Sequence, residues 1–317
     1  MPKTFKYLLW ALLLLLLLLA IGVALTWRPD VPVSALRERW APAPSAFVDV
    51  AGLQVHVRDE GPRDDPTPIV LIHGTSASLH TWEGWVAELR GSRRVVTFDL
   101  PGFGLTGPNA TGDYSDASYV RFTLALLDAL ALERVVLGGN SLGGAIAWQT
   151  AAAAPERVAQ LILVDAGGYP LESVSVPIGF RIARLPVLRE LMRYTLPRSV
   201  VESSVRNVYG DPSLVTPELV DRYMAMTSRA GNREALGRRM SQLESGQGLE
   251  RITALTQPTL ILWGGRDRLI PPAHGQRFLH DIKGSRLVTF DELGHVPHEE
   301  DPSRTMVVVK QFLAANR

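Results

Sequence analysis

The 317-residue chain predicts a doubly wound, mostly parallel eight-stranded α/β sheet with an inserted helical cap, preceded by one transmembrane helix. Three observations predict it. Short apolar runs alternate with helical stretches along most of the chain, which implies right-handed crossovers onto one parallel sheet. The alternation breaks between about Tyr169 and Leu255, where only amphipathic helical patterns occur. Before all of this, Tyr7 to Trp27 carries no charge at all.

Composition narrows the field further. Hydrophobic residues at 46% and charged residues at 21% describe a folded chain and exclude wholesale disorder. Lys plus Arg total 33 against 32 acids, so a net charge of +1 gives no general attraction to nucleic acid. The absence of cysteine excludes disulfides, a thiol nucleophile and thiolate metal ligands. The basic residues are nearly all Arg, the lysines being Lys3, Lys6, Lys283 and Lys310.

The first element, residues 1–28, reads as an N-terminal anchor. Twenty-one uncharged residues in a helix span about 31 Å, close to the roughly 30 Å hydrocarbon core of a bilayer. Leu12 to Leu19 is unbroken leucine, and Tyr7, Trp10 and Trp27 lie towards the ends, where aromatic rings favour headgroups. A cleaved signal peptide is the competing reading, with Lys3 and Lys6 as its basic start and Gly22-Val23-Ala24 as a small-residue cut site. Arg28, Arg37 and Arg39 beyond the helix balance the lysines before it, so charge does not settle orientation; an extracytoplasmic catalytic domain is the expectation. Residues 29–46, with Pro29, Pro32, Pro42 and Pro44, read as a spacer that lifts the domain off the bilayer.

The catalytic core is expected in two parts, 47–168 and 256–317. Phe47–Val50 and Leu53–Arg58 flank Ala51-Gly52, a hairpin signal. Ile69–Ile72, Val95–Phe98, Val135–Leu137, Leu161–Val164, Leu260–Trp263 and Leu287–Phe290 are continuous apolar runs, as strands buried on both faces require. Helices are expected at Trp82–Leu89, Ser118–Leu132, Gly143–Ala154, Ala273–His280 and Thr305–Ala315. Residues 169–255, with helical patterns such as Glu218–Ala230 and Glu234–Leu243, should cover the carboxyl ends of the strands as a cap. The chain shows no internal repeat.

Chemistry concentrates at those same strand ends. Gly139-Asn140-Ser141-Leu142-Gly143 places Ser141 on the turn between a strand and a helix, and Gly139, Gly143 and Gly144 leave room for a sharp elbow. The helix start aims free N–H groups at charge developing beside the serine. A serine nucleophile needs a base and an orienting acid. His295, in the loop after the last strand, is the expected base and His298 the alternative; His56, His274 and His280 read as packed or solvated. Asp267, after Leu260–Trp263, is the expected acid and Asp165 its rival, while Asp99 reads as a loop brace. The oxyanion donors are expected to be the backbone N–H of Leu142 and of Thr75, with Ser76 in reserve, and His73 to hold that loop.

His73-Gly74, Asp99-Leu100-Pro101-Gly102-Phe103-Gly104, Gly139-Asn140-Ser141-Leu142-Gly143-Gly144, Gly264-Gly265-Arg266-Asp267 and Gly294-His295-Val296-Pro297-His298-Glu299 stand in one order. In these five motifs the chain from Phe47 to Arg317 resembles the capped branch of the α/β-hydrolase superfamily. The resemblance implies a Ser-His-Asp mechanism with an acyl-enzyme intermediate and neither metal nor organic cofactor. The serine at the elbow sets the chain apart from epoxide hydrolases and haloalkane dehalogenases, which carry aspartate there. The Gly-Asn-Ser-x-Gly-Gly elbow is similar to that of hydrolases cleaving carbon–carbon bonds in ring-fission products, whereas Thr75-Ser76-Ala77-Ser78 and Val296 depart from them. The expectation is therefore a carboxylic-ester hydrolase, carboxylesterase- or lipase-like, acting on a small-molecule or lipid ester. The alternatives are a carbon–carbon bond hydrolase and a non-catalytic binding protein of the same fold. The cap's Arg181, Arg184, Arg189 and Arg193 suit either an acidic substrate group or solvent and anionic lipid.

Overall fold

A computed structural model describes residues 2–244 and 246–316. Its centre is one eight-stranded sheet: β1 (Ala46–Val50), β2 (Leu53–Glu60), β3 (Ile69–Ile72), β4 (Val95–Phe98), β5 (Val135–Asn140), β6 (Val158–Val164), β7 (Thr259–Gly264) and β8 (Arg286–Phe290). The strand order is β1-β2-β4-β3-β5-β6-β7-β8. Pairs β1·β2 and β2·β4 are antiparallel, and every later pair is parallel. The hairpin follows from Ala51 and Gly52, both at positive φ, with the Asp49 carboxylate accepting the Gly52 N–H.

Thirteen helices stand among the described residues: α1 (Lys3–Leu25), α2 (Val33–Trp40), α3 (Glu83–Leu89), α4 (Asp116–Ala129), α5 (Leu142–Ala153), α6 (Ile178–Arg184), α7 (Pro186–Met192), α8 (Arg198–Val208), α9 (Pro217–Ser228), α10 (Asn232–Ser241), α11 (Ala273–Asp281), α12 (Pro297–Glu300) and α13 (Pro302–Ala315). The continuous apolar strands explain the layering. Along β3, Val70 and Ile72 join the core beneath α4, α5 and α11, while Ile69 and Leu71 join the one beneath α3 and α13. Both faces are therefore dry, and the loops at the carboxyl edge are left to carry chemistry. Helices α6 to α10 enter the chain between β6 and β7 as the cap.

Helix α1 has the length and composition to cross a membrane, and none of its residues is buried.

The stretch 29–46 corrects the expectation of a free spacer. Val33, Leu36 and Trp40 stand at i, i+3 and i+7, one apolar stripe on α2, and Leu36 is buried with Leu105 and Met226. Residues 28–31 bond edge-on to the cap: Val31 donates to the Ser228 carbonyl at 2.8 Å and Ala230 donates to the Val31 carbonyl at 2.9 Å. The buried Arg233 guanidinium reaches Asp30 at 2.6 Å and the Arg28 carbonyl at 2.7 Å. On the core side, the His80 ring meets the Trp40 carbonyl at 2.8 Å and His56 Nε2 meets Ser45 Oγ at 2.9 Å. The prolines that suggested extended chain serve locally here, Pro32 standing immediately before the first residue of α2.

Candidate active site

β5 ends at Asn140 and α5 begins at Leu142, so Ser141 is the whole turn. Its φ of 56° and ψ of −115° are strained for any residue with a Cβ. Three backbone bonds over-determine that conformation. Ser141 N–H donates to the Val164 carbonyl at 3.1 Å, and its carbonyl accepts from Ala145 at 3.0 Å and Gly167 at 2.9 Å. Two glycines allow the close approach: a Cβ on Gly139 would lie 2.2 Å from the Gly143 carbonyl carbon, and one on Gly143 would lie 2.1 Å from the Ile72 carbonyl oxygen.

Two loops from the same sheet edge meet beside the serine. Asp267, after β7, is buried; its Oδ1 accepts the N–H groups of Leu269 and Ile270 at 2.8 and 2.9 Å. Its Oδ2 lies 2.7 Å from His295 Nδ1. An ionised carboxylate only accepts, so the ring donates from Nδ1 and Nε2 is left as the basic nitrogen. His295 is positioned by its own backbone as well, donating to the Val208 carbonyl at 2.7 Å. Ser141 and His295 line one cavity, although no hydrogen bond joins their side chains among the described residues. In unliganded sites such bonds tighten when substrate arrives.

The rival residues stand elsewhere or in another state. His298 is buried with its ring 4.0 Å from that of Trp82, and burial, helped by nearby His295, pushes its pKa down to about 3. Asp165 follows β6 directly at a φ of 43° and accepts the Gly264 N–H at 2.9 Å. One oxygen of Asp165, one of Asp267 and one ring nitrogen of His295 lie within 4.8 Å of one another. Burial, then the charge of Asp267, pushes the Asp165 pKa well above the carboxylate range. Asp165 therefore favours its neutral form beside Asp267.

Asp99 bonds to His56 at 2.7 Å and accepts the N–H groups of Leu79 and Leu105. Burial alone would raise its pKa, but His56, His73 and His80 outweigh burial and hold it well below the carboxylate range. His73 locks the neighbouring loop: Nδ1 meets the Gly74 carbonyl at 2.7 Å while Nε2 accepts the Leu100 N–H at 3.0 Å. His274 is packed beside Tyr169, and His280 is exposed beside Asp281.

Leu142 opens α5, where N–H groups have no helical partner, and Thr75 lies across the cavity on the loop after β3. Neither N–H meets an acceptor among the described residues. Ser76, the reserve donor, sits at a φ of 62°.

Ser141, Thr75, Phe180 and Leu269 lie where two chambers meet, each enclosing about 810 Å³ including its mouth. The first holds a polar group among its apolar lining: Asp116 pairs with buried Arg239 at 2.7 Å, and Arg184 adds a further cation. The second is an apolar arm running under the cap past Met192, Leu196, Val201 and Val205.

Two functional contacts lay outside the sequence reading. The Asn140 side chain donates to the His295 carbonyl at 2.9 Å and the Val164 carbonyl at 3.2 Å, tying the elbow to the histidine loop. Glu300 accepts N–H groups from Gly210, Asp211 and Gly294, tying the cap to that loop. The position of Asn140 inside the elbow pentapeptide was the available signal for the first. For Glu300 none existed, since its cap partners Gly210 and Asp211 are distant in sequence.

Comparisons with known proteins agree with this fold. The model of the alpha/beta hydrolase fold family matches residues 67–302. A 2-hydroxy-6-oxo-2,4-heptadienoate hydrolase of Pseudomonas putida is 33% identical over 284 residues, covering 85% of this chain and 96% of the relative. The solved structure of a meta-cleavage product hydrolase from Pseudomonas fluorescens superposes with a TM-score of 0.75 at 26% identity, covering 86% of this chain and 98% of that one. A membrane phospholipase A described as a bacterial virulence factor superposes with a TM-score of 0.74 at 25% identity. That match covers 98% of this chain and 99% of the other, a share large enough to take in the N-terminal helix.

Proposed function

Since the chain belongs to the alpha/beta hydrolase family, we propose that it is a membrane-anchored serine hydrolase that cleaves carboxylic esters. Ser141 Oγ attacks the ester carbonyl while His295 Nε2 takes its proton, and Asp267 steadies the imidazolium through Nδ1. The Leu142 and Thr75 N–H groups face the oxyanion of the tetrahedral intermediate. The alcohol leaves with the proton from His295, and a water activated by the same nitrogen then hydrolyses the acyl-enzyme. No cofactor enters this sequence of steps.

The observation that carries the reading is the 2.7 Å His295–Asp267 bond at the same cavity wall as Ser141 on its strained elbow. The apolar arm supports an ester with a hydrocarbon acyl part, which gains burial there without needing a charged partner. Retention of α1 as an anchor is supported by the bonds that fix its end to the cap and by the reach of the phospholipase match. An extracytoplasmic placement of the catalytic domain remains part of this proposal.

A second reading, carbon–carbon bond hydrolysis of a ring-fission product, is favoured by the relatives that do this chemistry and by Arg184 in the first chamber. Rates of the full-length protein on short nitrophenyl esters and on carboxylate-bearing dienoate ring-fission products, with Ser141→Ala as blank, decide between the two. The ester reading expects Ser141-dependent turnover of esters and little of dienoates. The reverse ranking would replace it.

A further inference from the structure

The membrane-length helix does not end in free chain. Leu196 donates to the Thr26 carbonyl at 3.1 Å, Arg28 donates to the Tyr194 carbonyl at 2.8 Å, and the Trp27 and Tyr194 rings stack with centroids 5.4 Å apart. The end of α1 is thus fixed to the segment 194–196, immediately beyond α7. That segment has two sides. Inward, Met192 and Leu196 line the apolar arm that reaches Ser141. Outward, Leu185, Val187, Leu188 and Tyr194 expose large apolar side chains, Val187 to 75%. Arg181 flanks them, as does Arg184, which also borders the first chamber; neither makes an ion pair among the described residues.

The location of this corner names its occupant. A helix of 23 residues spans about 35 Å, slightly more than the roughly 30 Å hydrocarbon core, so its end at Leu25 falls at the headgroup level. Val187 is seven residues from Tyr194, about 10 Å at the helical rise, a distance on the same scale as an interfacial layer about 5–8 Å thick. Apolar side chains with unpaired arginines beside them are the composition that seats in an anionic bilayer surface.

We propose that the α6–α7 corner of the cap is seated in the bilayer surface, and that the apolar arm behind it receives the acyl chain of an ester lipid taken from that membrane. The substrate half rests on the ester-hydrolase reading; the seating half does not. The wall at 192–196 then separates lipid from the arm by the thickness of one segment, and an acyl chain moving past it stays out of water on its way to Ser141.

The absence of cysteine makes the test clean. Full-length protein carrying Val187→Cys, labelled with an environment-sensitive fluorophore, is placed in phosphatidylcholine–phosphatidylglycerol vesicles whose acyl chains are brominated. The control is Glu133→Cys, exposed just before β5 at the sheet edge away from the cap. Quenching at position 187 several-fold above position 133 is the expected result; equal quenching would overturn the seating. In the same vesicles, Val187→Glu with Leu188→Glu should lower hydrolysis of a long-chain phospholipid about tenfold while leaving a short soluble ester within about twofold. An unchanged vesicle rate would overturn the substrate half. A wild type that cleaves no ester would fail the ester reading and this half together, and the quenching would still decide the seating.

Discussion

The elbow and the cap corner line the same apolar arm and are built by opposite means. At the elbow, backbone meets backbone: Gly139 and Gly143 leave no space for a methyl group, and Ser141 is held strained by three hydrogen bonds. At the corner, side chains that would be core elsewhere face outward, and the chain is held by Thr26, Trp27 and Arg28 just beyond α1 and by the Arg193–Glu234 pair. The elbow is complete within the sheet edge. The corner is complete only with the N-terminal segment, and by our proposal with lipid. The elbow is thus set by local glycine geometry, whereas the corner is set by contacts remote in sequence.

The largest effects should come from the elbow side. Ser141→Ala and His295→Ala should each reduce kcat by about 10³–10⁶, and the double variant should be no worse than the poorer single, because the groups act as a unit. Additive losses in steady-state kinetics would contradict this. Asp267→Asn should cost about 10³–10⁴ by removing the acceptor that fixes the histidine tautomer. Asp165→Asn should cost far less, since a carboxamide can take the place of a protonated carboxyl and still accept the Gly264 N–H. Equal losses in both folded variants would move the acid to Asp165.

Next come stability effects on the access side. A chain beginning at Thr26 should keep its fold and its soluble-ester rate, whereas one beginning at Ala46 loses Leu36, Asp30 and the Trp40 carbonyl and should unfold at a clearly lower temperature. In the full chain, Leu36→Ala should cost about 2–3 kcal/mol by thermal unfolding. No change in either would restore the idea of a free spacer.

A pH dependence of stability is expected as well. Burial holds His298 down to about 3 and His80 to about 4 in the fold, against about 6.5 in the unfolded chain. The unfolded chain therefore binds more protons below pH 6.5, and the stability these neutral rings contribute is present above that value and lost as pH falls towards 4 and 3. His298→Phe, which keeps a ring against Trp82, should flatten the pH slope of thermal unfolding between 6.5 and 4. An unchanged slope would remove His298 from this account.

The same contrast explains what could be read from residues alone. β3, β4, β7 and the Ala51-Gly52 hairpin are legible because continuous apolar runs and a two-residue turn are local signals. Gly139 to Gly144 is legible because steric closeness demands glycine at fixed spacing. The docking of 29–46 was not, because four prolines outweighed the short Val33, Leu36, Trp40 stripe, and Asp30 gives no sign that Arg233 will find it. The outward face of Leu185, Val187 and Leu188 was equally hidden, since the same periodicity serves a buried or a lipid-facing helix.

Ser141 as nucleophile is tested most directly by fluorophosphonate labelling of the full-length protein with mass-spectrometric mapping of the adduct. One adduct per chain is expected, on Ser141, lost in Ser141→Ala and greatly slowed in His295→Ala. An active wild type that takes no label, or takes it on another residue, would contradict it.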